Sequence, residues 1–316
     1  MEHYVTLFDS LFLPQGLALH MSMERHAGAY TLWILCMDER GHDALQRLHL
    51  PNVRLIALAD VESPELLQVK PTRSRGEYCW TMTPFTPKMV FDRDSSVQRV
   101  TYLDADLWFR QSPCSIFAEF DESGKAVLIT EHAYAPQFDQ SHTSGKFCVQ
   151  FTVFVRERSE PVRECWADQC IDWCYARLED GKFGDQMYLN EWPTQFGDSV
   201  HVLERKEWVQ GPWNTARFPP SEAVAFHFHG LRLFRGGKVL LTDRYPIFRS
   251  TSEVLYKPYL QDLGEAISAL RRIGIEVPPQ LEKSFWLQRL RAVAKGLFNA
   301  QRRVLQDETA RFGRVR

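Results

Sequence analysis

The sequence predicts an α/β protein: a mainly parallel sheet covered by helices on both faces, followed by a C-terminal helical tail. Three observations carry this. Tyr30 to Met37 reads YTLWILCM, a near-continuous apolar run of strand length, as expected for a strand buried on both faces. Runs of that kind alternate with helix-like stretches through the first hundred residues. The chain has 316 residues, 44% of them apolar and 25% charged, enough to bury a large core without disulfide staples.

Taken in order, Tyr4 to Phe8 is a short strand halted by Asp9 and Ser10. Pro14 can open a helix that runs to His26 with Leu17, Leu19, Met21 and Met23 along it. After the strand at Tyr30, Asp38 to Leu48 reads as a helix and Val53 to Leu58 as a third strand. Glu77 to Phe91 is helical in pattern, but Pro84 and Pro87 must kink or break it. Val97 to Leu103 is a fourth strand, running into Asp104, Ala105 and Asp106. Beyond it, Ala126 to Thr130 and Gln150 to Val155 read as strands, Val162 to Glu179 as a helix and Asp185 to Trp192 as a short helix.

The tail changes character. Glu253 to Ile273 and Ser284 to Leu305 read as helices separated by Pro278 and Pro279, so the expected division is a body over 1–248 and a helical extension over 249–316. From Ser284 to Arg316 there are eight basic residues against two acidic ones, with Trp286, Leu290, Val293, Leu297 and Val304 forming an apolar stripe. That pattern suits a helix lying on the inner, anionic face of a membrane, and equally a docked helix with a solvated basic face.

Composition excludes several classes. Lys+Arg 38 against Asp+Glu 40 gives a net charge of -2, which argues against a nucleic-acid partner. The N-terminus lacks a basic region before an apolar run, and no stretch is long and apolar enough to span a bilayer. Seven scattered cysteines without paired C-x-x-C spacing point to a reduced, cytoplasmic chain rather than to a structural zinc site. Cys170 and Cys174 are expected on one helical face as small apolar residues.

The chemistry concentrates in Arg99-Val-Thr-Tyr-Leu-Asp-Ala-Asp-Leu-Trp-Phe109. Two carboxylates one residue apart at the end of a buried strand are costly without a cation between them. Mn²⁺ or Mg²⁺, held by carboxylates and phosphate oxygens, resolves that cost. The bland alternative is a helix cap plus a surface acid. Asp185 and Gln186 follow a glycine turn, where Asp185 could simply cap a helix. Ala225-Phe-His-Phe-His-Gly230 places His227 and His229 on one face of a strand-like segment, with Gly230 permitting close approach of a phosphate.

Together these pieces resemble the nucleotide-sugar glycosyltransferases of the GT-A fold, with its Rossmann-like sheet, and within them the family of glycogenin and the lipopolysaccharide galactosyltransferases (glycosyltransferase family 8). The resemblance runs from Val5 to about Phe234 and is strongest at Leu103-Asp104-Ala105-Asp106, Asp185-Gln186 with Leu189-Asn190, and His227-Phe228-His229-Gly230. It implies a metal on Asp104, Asp106 and His227, a donor sugar beside Asp185 with Gln186 near its reacting carbon, a nucleotide base held by Phe8, Asp9 and Phe12, and Lys88 at the sugar diphosphate. The family's lysine after its H-F-x-G motif is replaced by Leu233, and Arg232, Arg235 or Lys238 could substitute for it at the diphosphate. The implied activity is transfer of a hexose from a nucleotide-diphosphate sugar, a UDP-sugar first, to a glycan or lipid-linked acceptor, with retention of configuration, as in cell-surface polysaccharide synthesis. The alternative of a different class is a sugar-binding scaffold without turnover, for which Leu233 is the main support.

Overall fold

The computed structural model describes residues 1–234, 237–242 and 244–280. The basic tail helix expected over 284–305 therefore lies outside the described residues, and so does Arg235. No described helix is long and apolar enough to cross a membrane.

The first half follows the expected alternation. Strand β1 (Glu2–Phe8) leads through helix α1 (Leu13–His26) to β2 (Tyr30–Cys36), and α2 (Glu39–Leu48) leads to β3 (Val53–Ala57). Short helices α3 (Pro64–Val69), α4 (Arg75–Met82) and α5 (Thr86–Arg93) then cover one face. The Pro84 region does break the predicted helix, inserting a 3-10 turn over Thr83–Phe85 between α4 and α5. Ser74 and Glu77 cap α4 reciprocally, which starts that helix two residues earlier than expected.

Strand β4 (Arg99–Leu103) is followed at once by β5 (Leu107–Phe109), then α6 (Cys114–Ser123) and β6 (Val127–Glu131). A single turn of helix, α7 (Ser141–Ser144), precedes the long β7 (Phe147–Val155), and α8 (Glu160–Asp172) and β8 (Val200–Val202) follow. The main sheet has the order β3-β2-β1-β4-β7-β6-β8. It is parallel except at β7, which runs against both neighbours. Period-two alternation divides the core: Tyr4, Phe8, Leu32 and Ile34 face α1, α2 and α6, while Val5, Leu7, Trp33 and Leu35 face α3 to α5 and α8.

Two expectations need correction. The helix read as Val162 to Glu179 ends at Asp172, because Trp173 turns extended and the chain then buries Trp173 and Cys174 instead of coiling them over solvent. Cys170 and Cys174 thus share a core cluster but not a helix. The strand-like segment from Ala225 forms β10 (Ala225–His227), whereas β9 (Val209–Gln210) and the hairpin of β11 (Arg232–Leu233) with β12 (Val239–Leu240) went unforeseen. The order of the second sheet is β5-β10-β9. The helix Lys257–Arg272 packs its apolar face on this second sheet and on α1, with the Tyr259 ring stacked flat on Phe228 at 3.6 Å.

Candidate functional site

The carboxyl ends of β1 and β4 open into a cleft of about 510 Å³. In such sheets this is where ligands bind. Asp104 follows β4 directly, and its N–H donates to the Gln150 carbonyl across the antiparallel pair with β7. The chain then turns tightly into β5, whose register with β10 sets Leu107 opposite His227. That pairing, locked by Phe228 N–H donating to the Asp106 carbonyl at 2.9 Å, is why residues 104, 106 and 227 meet.

His227 Nε2 lies 3.0 Å from Asp106 Oδ1 and 3.7 Å from Asp104 Oδ2. Its Nδ1 stands 2.8 Å from Gln150 Oε1, the geometry in which Nδ1–H donates to the amide and Nε2 is left facing the carboxylates. Tyr102 donates its hydroxyl to Asp104 Oδ1 at 3.0 Å. Burial and repulsion from Asp106 raise the Asp104 carboxyl above its ordinary value, against the pull of His227. Burial also opposes ionisation of Asp106, but the His227 charge and hydrogen bond outweigh it and hold this carboxyl at about 2. Despite burial, the two aspartates raise His227 well above the usual imidazole range. An imidazolium thus fills the electrostatic place that a divalent cation takes in a carboxylate pair, and two hard oxygens plus one imidazole nitrogen are a fitting donor set for Mn²⁺ or Mg²⁺.

Asp185 sits in the same cleft, buried, with Trp166 Nε1–H donating to its backbone carbonyl at 2.8 Å. It directly precedes Gln186, the residue that opens the 3-10 turn Met187–Asn190. Burial and the nearby Asp104 push its carboxyl up to about 8. Gln186 lines the cleft too, and its side-chain amide donates to the Ser144 carbonyl. Asn190 accepts from Lys146 N–H at 2.8 Å, tying the same turn to the segment before β7.

Phe8, Asp9 and Phe12 line the opposite wall. Asp9 Oδ1 accepts from Leu11 N–H, which shapes the loop between β1 and α1. Burial raises the Asp9 carboxyl, partly offset by Arg75 at 3.4 Å. Arg232 lines the cleft with its guanidinium over the Phe12 ring. Leu233, in the position of the family lysine, is a buried core residue. Lys238 is exposed in the turn between β11 and β12 and does not line the cleft. Gly230 adopts φ +80, the left-handed region that lets the chain turn back after the two histidines, but it contributes no surface to the cleft.

Lys88, expected at the sugar diphosphate, does not line the cleft either. It stands exposed on α5 and pairs with Asp92 one helical turn away, at 2.7 Å. The basic group that does reach the cleft from this region is Arg75, at the start of α4, bound to both Asp9 and Asp38. Asp38 in turn caps α2 through Gly41 N–H and accepts from Ser10, so one carboxylate ties the first loop, α2 and α4 together. The capping signature Ser74-x-x-Glu77 is the sequence signal that could have placed Arg75 at a helix start.

Sequence reading also missed Cys148, Gln150 and His132 as site residues, while the turn from Gly211 to Arg217, with Trp213 and Asn214, reads as suited to sugar or acceptor contact and equally to plain loop packing. Trp213 is buried, donates Nε1–H to the His132 carbonyl at 2.7 Å and sets its ring edge-on to His227 and His229. Tyr134 and Tyr245 extend this aromatic wall.

No family model matches the chain. Among curated proteins, YfnF of Bacillus subtilis (strain 168) is 30% identical over 248 residues, covering 73% of this chain and 82% of that protein. YfnD of the same organism is 26% identical over 286 residues, covering 85% and 91%; both are uncharacterized. Among solved structures, the apo form of the glycosyltransferase GlyE of Streptococcus pneumoniae TIGR4 superposes with a TM-score of 0.53 at 16% identity, over 88% of this chain and 65% of that one. An active-site mutant of LgtC superposes with a TM-score of 0.51 at 13% identity, over 83% and 95%.

The class that the fold defines is the GT-A glycosyltransferase fold, a mixed α/β body on a mainly parallel sheet. At these identities the structural likeness shows the fold alone. Within it, the chain belongs to the same family as YfnF.

Proposed function

We propose that this chain is a metal-dependent glycosyltransferase that moves a hexose from a nucleotide-diphosphate sugar, a UDP-sugar first, to a glycan or lipid-linked acceptor with retention of configuration. The observation that carries the proposal is the convergence of Asp104, Asp106 and His227 Nε2 at the strand ends, in a cleft large enough for such a donor. Asp104, Asp106 and His227 would hold Mn²⁺ or Mg²⁺, which when bound supplies positive charge against the departing diphosphate.

The chain's own residues divide the remaining work. Phe8, Asp9 and Phe12 present an aromatic and a carboxylate to the base. Arg75, paired with Asp9, and Arg232, over the Phe12 ring, bring positive charge to the diphosphate, Arg232 taking the task of the family lysine whose place Leu233 holds. Asp185 and Gln186 lie on the sugar side. With its carboxyl raised to about 8, Asp185 is protonated at neutral pH and can donate as well as accept a hydrogen bond to a hydroxyl. The wall of Tyr134, Trp213 and Tyr245 offers flat faces for the acceptor. We assign this chemistry to the body over 1–248, with 249–316 as an extension.

A thermal-shift screen of nucleotide sugars with and without Mn²⁺, on the wild type and on the Asp104→Asn/Asp106→Asn double variant, tests the reading. A ligand at 100 times its Kd adds about 2.7 kcal/mol. A shift that needs both Mn²⁺ and the two carboxylates supports the transferase and names the donor. A shift indifferent to both replaces it with the non-catalytic scaffold.

A further inference from the structure

Two donor sets share Asp104 and His227. One is completed by Asp106, as above. The other is completed by Cys148: the carboxylate of Asp104, the imidazole of His227 and Cys148 Sγ place their donor atoms all within 4.8 Å of one another. A tetrahedral ion with metal–sulfur near 2.3 Å and metal–nitrogen and metal–oxygen near 2.0–2.2 Å spaces its ligands about 3.5 Å apart. Side-chain shifts of about 1 Å would close these three around one ion.

We propose that Cys148 gives this centre a soft donor, so that Asp104, Cys148 and His227 bind a thiophilic divalent cation of the zinc type, alongside the hard-ion set completed by Asp106. The inference rests on the reading of Asp104 and His227 as cation ligands. It goes beyond that reading by giving the centre a second metal preference.

The surroundings fit a softer ion. Cys148 is 3% exposed, on β7 two residues from Gln150, the residue that orients His227. A second imidazole, His132, lines the same cleft at 4% exposure, and its Nδ1 has no hydrogen-bond partner. Burial holds this ring far below its ordinary pKa, at about 3, so it adds no positive charge to the cleft. Thiolate and imidazole favour zinc-type ions, whereas carboxylates suit magnesium and manganese.

The test uses the full chain and bare metal ions. Co²⁺ is added and the near-ultraviolet thiolate-to-cobalt charge-transfer band is followed, with Zn²⁺ as competitor. Mn²⁺ binding is read separately from the electron paramagnetic resonance of the free ion. The wild type is expected to develop the band with about one equivalent of Co²⁺ and to lose it as Zn²⁺ displaces the ion. Cys148→Ser and Cys148→Ala, each checked for fold by circular dichroism, should lose the band and weaken Zn²⁺ binding on the order of tenfold or more, while Mn²⁺ affinity stays within about threefold. Asp106→Asn should do the reverse, weakening Mn²⁺ and keeping the band. A band that persists in both Cys148 variants, or no band in a wild type that binds Mn²⁺, overturns the inference and leaves the hard-ion centre standing. Failure of the wild type to bind any of the three ions overturns both.

Discussion

At the scale of single residues, the centre depends on side chains that hold other side chains. Gln150 is fully buried and engages His227 Nδ1, so it sets which nitrogen faces the carboxylates without touching them. Gln150→Leu is expected to leave the fold intact and to weaken Mn²⁺ binding about 10- to 100-fold, the usual cost of removing a partner that orients a ligand. Isothermal titration of Mn²⁺ into the two proteins checks this. Asp185 makes a different prediction. Its carboxyl titrates at about 8 in the folded protein and near 3.9 unfolded, so between those values the folded state carries the extra proton. Stability of the ion-free protein therefore falls as pH rises from about 4 to about 8. Asp185→Asn removes that slope, and at pH 7 its melting temperature should exceed that of the wild type by a few degrees. Parallel slopes in differential scanning calorimetry would refute the assignment.

At the scale of elements, the wall of the cleft formed by Phe8, Asp9 and Phe12 is shaped by how α1 meets β1. A Cβ built on Gly16 would lie 2.4 Å from the Phe8 ring, so only glycine lets α1 pass over that aromatic. Gly16→Ala should cost about 1–3 kcal/mol by overpacking, measured as a lower midpoint in urea. It should also displace Phe8 and weaken donor binding. The same scale explains why part of the site was legible and part was not. The D-x-D pair was legible because an apolar strand announces its own end, and Asp104 and Asp106 follow directly. Gln150 and Cys148 were not. Phe147 and Val149 pack on one face of the sheet while Phe151 and Val153 pack on the other, so the alternation breaks at Gln150, beside a register shift on the neighbouring β6. A strand irregularity of this kind arises from pairing with a partner strand and leaves little trace in local pattern. Lys88 illustrates the converse: its place in the chain suggested the diphosphate, but helix phase turned it to solvent and left Arg75 to reach the cleft.

At the scale of the whole molecule, the helix Lys257–Arg272 holds the second sheet in place. Asp262, 7% exposed, accepts from Trp108 Nε1–H at 2.6 Å and pairs with Arg25 of α1. Trp108 belongs to β5, the strand that sets His227 opposite Leu107. One carboxylate thus links a C-terminal helix, the first helix and the strand that completes the centre. Asp262→Ala strands a buried indole N–H and should cost about 2 kcal/mol, read as a shift in the urea midpoint with an unchanged slope.

The sequence by itself determined the class of fold and the place of the aspartate pair at a strand end. Both are local: buried parallel strands are apolar throughout, the elements alternate at short range, and Asp104 and Asp106 follow directly where β4 stops. His227 joined them in the sequence only through the family resemblance, and in the structure through the pairing of β10 with β5. What only the tertiary structure decided is which distant groups surround that pair. Arg75 comes from the start of α4, His132 from just past the end of β6, and Cys148 and Gln150 both from β7, and the antiparallel β7, the short second sheet and the helix from Lys257 bring them together with Asp104 and His227. Contacts between residues far apart in the chain depend on strand register and helix phase. These are settled by burial of the whole core and not by any one segment's pattern.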